Sequence, residues 1–252
     1  MQLLSDPFVL AMALLAVLIL GLAKGGFSGL GALATPLLAL ALPPTVAAAL
    51  LLPVLLVQDV VSVWSFRKTW DRWIVVWMLP GAALGVGLAT LFAAAVDEAQ
   101  VMLALGAITM AFGLYRLWLE RGGRAVAASD SPDWVGTLFG VATGFTSQIA
   151  HAGGPPFQFW VTPRKLPHDV FVGTSSVTFA AINWIKVPSF VALGAFTRDV
   201  LIGAALLIPF AVVTTLIAVR LIRRLDSQRF YTLIYLLMVA LGAKLVWDGA
   251  FA

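Results

Sequence analysis

Cysteine is absent from this chain of 252 residues, which excludes disulfides, thiolate metal sites and thiol redox chemistry. Charge is scarce as well. Charged residues make up 11% of the sequence and apolar residues 61%, more apolar surface than one soluble core of this length can hide, so the expected solvent is lipid. There is no G-x-S-x-G elbow, no H-E-x-x-H and no pair of carboxylates on one helix face, and neither histidine has a metal-ligand neighbour at the usual spacing. Enzymatic chemistry, a bound metal and a cofactor are therefore not expected. The glycine-rich segments do not match a P-loop, so ATP-driven pumping by this chain alone is not expected either. A net charge of +4 could suggest nucleic acid, but the basic residues sit in short loops between apolar spans, where they report topology. The opening Met1-Gln2-Leu3-Leu4-Ser5-Asp6-Pro7 lacks a basic n-region and an A-x-A site, so residues 8 to 22 read as mature chain rather than as a removed signal.

What is present is written twice. Gly25-Gly26-Phe27-Ser28 followed by Pro36 matches Gly144-Phe145-Thr146-Ser147 followed by Pro155, with equal distance from serine to proline. Pro43 to Asp59 and Pro167 to Asn183 are equally spaced, and Asp97, Gln100, Gly113 and Trp118 parallel Asp226, Arg229, Gly242 and Trp247. Duplicated apolar halves with paired helix interruptions are the pattern of a secondary transporter, whose binding site lies where the two breaks meet.

Apolar runs over 45–66, 73–95, 99–119, 169–193, 199–220 and 228–250 each approach the ~20 residues that cross hydrocarbon. The runs over 7–42 and 134–163 are interrupted by glycine, leaving arms of roughly 10 to 17 residues, too short to span comfortably; both read as re-entrant hairpins. The expected fold is an all-α integral membrane protein of two repeats, 1–119 and 134–252, each a hairpin plus three transmembrane helices. Residues 120–133 (ERGGRAVAASDSPD) have the composition of a linker. Arg67, Lys68 and Arg72, then Arg116, Arg121 and Arg124, then Arg164 and Lys165, and last Arg220, Arg223, Arg224 and Arg229 all fall on one side, while the other receives Arg198. The positive-inside rule makes the rich side cytoplasmic and places both termini outside. Three crossings per repeat is an odd number, so the repeats are expected to be inverted.

Lys24 and Gly25 lie in the first break, where freed N–H groups and an ammonium could hold an anion, or where Lys24 could snorkel or pair with Asp59. Ser28 and Ser147 occupy equivalent places and could cap the next half-helix or donate to a ligand. Gln148 and His151 fall in the second break beside Gly153, Gly154, Pro155 and Pro156. Asp59 could neutralise Lys24, relay a proton or bond a neighbouring helix, with Asn183 its counterpart. Thr174, Ser175, Ser176 and Thr178 supply hydroxyls that could serve a ligand or join helices. Lys186 lies one turn beyond Asn183, roughly 10 Å short of its helix end, close enough either to snorkel or to serve a site. Lys244 has Asp248 at i+4, an interfacial ion pair beside Trp247.

The stretch Gly21-Leu-Ala-Lys24-Gly-Gly-Phe-Ser-Gly-Leu-Gly, its partner Gly140-Val-Ala-Thr-Gly-Phe-Thr-Ser147 with Gly153-Gly154-Pro155-Pro156, and Gly173-Thr-Ser-Ser-Val-Thr-Phe-Ala-Ala-Ile-Asn183 resemble the TauE/SafE sulfite exporter family. The similarity runs from about residue 8 to 250. It implies efflux of a small sulfur-containing oxyanion such as sulfite from a bacterial cytoplasm across the inner membrane, by alternating access. Its implied partners are that anion and the bilayer, with no nucleic acid. Lys24 faces Thr143 or nearby Gly144 in the alignment of halves, so a symmetric two-lysine clamp is not implied. A proton-coupled carrier of organosulfonates or small carboxylates, with Asp59 or His151 as relay, is the alternative within transport; a non-transporting membrane scaffold is the alternative outside it.

Overall fold

A computed structural model describes residues 2–26, 29–121, 131–221 and 228–251. Apart from short 3-10 turns, the elements among them are ten α-helices: α1 (Pro7–Lys24), α2 (Ala34–Leu38), α3 (Pro44–Phe66), α4 (Arg72–Ala95), α5 (Glu98–Arg121), α6 (Trp134–Ala150), α7 (Gly154–Val161), α8 (His168–Ala192), α9 (Arg198–Leu221) and α10 (Gln228–Ala250). Ser28 and most of the 120–133 linker lie outside the described residues, as do Arg124, Arg223 and Arg224.

Local chemistry sets the helix ends. Asp6 accepts the Phe8 N–H at 2.7 Å and Pro7 opens α1 with a preset φ. The helix stops at Gly25-Gly26, where Gly26 takes a φ of 112° that a side chain would resist. Pro43 and Pro167 precede α3 and α8 in the same extended conformation. α6 ends on His151, a non-glycine residue at φ 51°, and α7 restarts at Gly154 with Pro155 and Pro156 in its first turn.

Among the described residues, six helices are long and apolar enough to cross a membrane: α1, α3, α4, α5, α8 and α9. The first hairpin thus departs from the expected pair of short arms. α1 has 18 residues, about 27 Å of helix, while its return arm is a 3-10 turn and the five-residue α2. α6 and α7 have 17 and 8 residues. Large apolar side chains such as Val60, Leu84, Leu91, Leu206 and Val213 are exposed, a surface suited to acyl chains rather than water.

Glycine sets how closely the helices approach. On α4, Gly81 and Gly85 lie against the Thr137 and Val141 carbonyls of α6, and Gly140 and Gly144 of α6 return the contact to the Met78 and Ala82 carbonyls. The two helices run parallel. Gly21 and Gly25 of α1 meet Thr214 and Ala218 of α9, again parallel. α5 and α10 are antiparallel, with Gly106 on Gly242 and Gly113 on the Tyr235 carbonyl. α3 and α8 are also antiparallel, and α3 further packs on α9 as α8 does on α4.

Candidate functional site

The tips of both broken hairpins arrive between α3 and α8. Lys24, in the last turn of α1, forms an ion pair with Oδ1 of Asp59 on α3, and Asn183 of α8 donates from Nδ2 to Oδ2 of the same carboxylate at 2.6 Å. Lys24 also stands 5.7 Å from the centre of the Phe179 ring. Ser62, one turn beyond Asp59, donates to the Lys24 carbonyl at 3.0 Å and lies 2.7 Å from the Ser176 hydroxyl. These contacts tie the end of α1 to α3 and α8. Of the readings open for Lys24, pairing with Asp59 is the one observed, and it leaves the ammonium beside the cavity rather than at an interface.

Lys186 anchors the second tip. Its side chain is fully buried, which overturns snorkelling: Nζ donates to the Ser147 carbonyl at 3.1 Å, to the Ser147 hydroxyl at 3.3 Å and to Nδ1 of His151 at 2.6 Å. The other ring nitrogen of His151 lies 2.9 Å from the Ala48 carbonyl of α3. A carbonyl only accepts, so Nε2 carries the proton and Nδ1 is free to accept from Lys186. The left-handed backbone at His151 is what turns its ring out of α6 toward α3.

These groups surround a cavity of about 90 Å³ lined by Lys24, Ser147, His151, Ser175, Ser176 and Asn183 together with Phe157, Gln158 and Phe179. That is far below the several hundred Å³ of a drug-sized site and suits an ion of a few heavy atoms. The cavity reaches Phe171 and Val172 in the first turn of α8. Toward the other end of the bundle a second cavity, about 550 Å³, is lined by Ala48, Gln148, Ile149, Phe92, Phe190 and Asp199 among others. His151 borders the first cavity and its acceptor Ala48 borders the second, so this hydrogen bond lies on the partition between them.

Not every expected site residue reaches the central cavity. Gln148 faces the second one, where its Oε1 is buried without a partner. Thr174 donates to the Val170 carbonyl at 2.7 Å and accepts the Asp71 N–H at 2.8 Å, which ties α8 to the start of α4. Gly25 packs on Ala218. Pro155 and Pro156 carry no N–H, so the second half-helix offers fewer backbone donors than a broken helix ordinarily does. Lys244 pairs with Asp248 at 2.5 Å on the exposed face, as its spacing predicts. Ser62, Phe179 and Gln158 were not singled out from sequence, whereas Ser176 belongs to the hydroxyl run that was. Ser62 stands one helical turn from Asp59 and Ser176 two turns from Asn183, a positional signal too common in membrane helices to separate site from seam.

Comparison with protein families gives a match to the model described as "Sulfite exporter TauE/SafE" over residues 13–245, nearly the whole chain. No curated protein and no solved structure matches it.

Proposed function

Because this chain belongs to the sulfite exporter TauE/SafE family, and is thereby an integral membrane protein of a transporter family, we propose that it exports a small sulfur-containing oxyanion such as sulfite by alternating access. The observation that carries this reading is Lys186, a fully buried lysine held directly behind Ser147 and His151, which line an ion-sized cavity where two broken helices meet. A buried ammonium in a membrane helix is costly and is retained where it serves an ion or substrate path. With a cytoplasm-negative potential, each exported negative charge gains about 2.3 kcal/mol per 100 mV, so efflux needs no further fuel.

The two halves, 1–119 and 134–252, are inverted repeats in this reading. Its support is the direction of counterparts: α3 runs antiparallel to α8 and α5 to α10, while the crossed pairs α1 with α9 and α4 with α6 are parallel. An in-plane two-fold axis requires that arrangement. Pro80 in α4 and Pro209 in α9 interrupt equivalent helices. The basic loops face the cytoplasm of the inner membrane, both termini lie outside, and the central cavity lies on the cytoplasmic side of the His151–Ala48 partition. Outward opening then consists of parting that hydrogen bond while the Phe171 side closes. Proton coupling through Asp59 is the second reading, favoured by its direct contact with Lys24: an anion that takes over this lysine leaves a buried carboxylate that a proton could neutralise.

Proteoliposomes loaded with sulfite test the proposal. Efflux above that of protein-free vesicles is expected, reduced about tenfold or more by Lys186→Met and unchanged by Lys244→Met. Wild-type efflux no faster than the protein-free leak would overturn it.

A further inference from the structure

We infer that the central site holds a surplus of one positive charge, supplied by Lys186, and is therefore matched to singly charged anions; for sulfite, the form taken is hydrogensulfite. The identity of the ligand rests on the transport reading above, whereas the charge count does not.

The count follows from donors and acceptors. Asp59 accepts on both oxygens, from Lys24 and from Asn183, so it is a carboxylate, and it cancels Lys24. His151 gives its Nε2 proton to the Ala48 carbonyl and receives one at Nδ1, so it is neutral. Lys186 faces the Ser147 carbonyl and Nδ1 of His151, neither of which has a proton to give, and the Ser147 hydroxyl is the longest of its three contacts at 3.3 Å. As an ammonium, Lys186 directs one N–H at each of these three partners, and we assign it that form. Lys24, Asp59 and Lys186 then sum to one positive charge. Arg116 is half-buried and donates to Oε1 of Gln158 at 3.1 Å, so a neutral amide stands between it and the cavity, which Arg116 itself does not line.

A cavity of about 90 Å³ leaves no room for a ligand to bring its own counter-ion. One negative charge makes the occupied site neutral. Two leave a net negative charge in surroundings where uncompensated charge is expensive. Asp59 is thus the group that lowers the charge of the site, and Lys186 acts from behind Ser147 and His151 as a positioning and specificity-determining residue.

The test uses methanesulfonate and sulfate, which share size and tetrahedral shape but carry one and two charges. Binding to the purified full-length chain is read by calorimetry, with sulfite flux measured separately. Wild type is expected to bind methanesulfonate at least about tenfold more tightly than sulfate. Lys186→Met removes the surplus and is expected to weaken methanesulfonate about tenfold or more while the protein remains folded. In proteoliposomes the sulfite reversal potential should move by about 59 mV per tenfold gradient, as for one charge, rather than about 30 mV as for two. Equal affinity for the two probes, failure to bind either, undiminished methanesulfonate binding by Lys186→Met, or a two-charge slope would overturn the inference. Selective monoanion binding with no sulfite flux would uphold the charge match and overturn the transport reading instead.

Discussion

Lys24, Asp59 and Lys186 are charged side chains in the interior of an apolar bundle, and their partners decide what removing each one does. Lys24 and Asp59 cancel one another, with side-chain exposures of 10% and 2%. Breaking such a pair from one side strands the other charge. Lys24→Met and Asp59→Asn are each expected to destabilise the protein by about 3–5 kcal/mol, and the double variant to recover most of that loss. Chemical denaturation in micelles measures it, and strictly additive losses would show that the two groups do not depend on each other. Among the described residues Lys186 has no carboxylate in contact, only neutral partners, so Lys186→Met is expected to spare folding and lower flux about tenfold or more. His151→Gln keeps a donor for Ala48 but removes the aromatic nitrogen that fixes Lys186. Its flux should fall while its melting temperature changes little, and a melting temperature lowered as much as by losing the whole tip would assign His151 to structure alone.

Helix seams in this protein are built on missing side chains. Gly81-x-x-x-Gly85 and Gly140-x-x-x-Gly144 place bare backbone on α4 and α6 at facing positions, and a Cβ added at Gly144 would meet the Ala82 carbonyl at 2.0 Å. In lipid, where burial from water does not drive helices together, such close approach is the principal source of association. Gly144→Leu is therefore expected to eliminate monodisperse folded protein. Gly87 sits on the same helix with open space around it, so Gly87→Ala should leave yield unchanged or raise stability by up to about 1 kcal/mol. Size-exclusion profiles and thermal melts of the two variants make the comparison. Similar behaviour would mean that the α4–α6 seam does not set stability.

For the whole molecule, orientation and driving force are the open quantities. The native chain has no cysteine, so single cysteines report topology directly. A cysteine at 68 or 125 should resist an impermeant thiol reagent in intact cells, and one at 195 should react. Labelling at 125 would reverse the assigned orientation. If Asp59 and His151 are structural, efflux should follow membrane potential and anion gradient, with little response to collapsing a pH gradient at constant internal pH. Stoichiometric proton movement at zero imposed potential would instead select the coupled mechanism, and Asp59→Asn should then abolish it.

The sequence by itself determined the membrane class and the all-helical character, because each depends on composition and spacing within about 20 residues of chain. Pro43 and Pro167 mark the starts of α3 and α8 to within a residue, and the family was legible in the glycine-rich breaks. The Lys244–Asp248 pair was legible too, as an i,i+4 contact is local. Tertiary structure alone decided which polar groups share a site. Thr174 and Ser176 are two residues apart, yet one holds the start of α4 and the other lines the cavity, since which flank of α8 meets α3 is fixed by where distant helices cross. Gln148 and Ser147 are adjacent and face different cavities for the same reason. Lys186 could have reached an interface by its distance from the helix end; the left-handed turn at His151 and the approach of Ala48 from α3 instead enclose it. The His151–Ala48 contact joins residues 103 positions apart in the chain, and no local pattern encodes it.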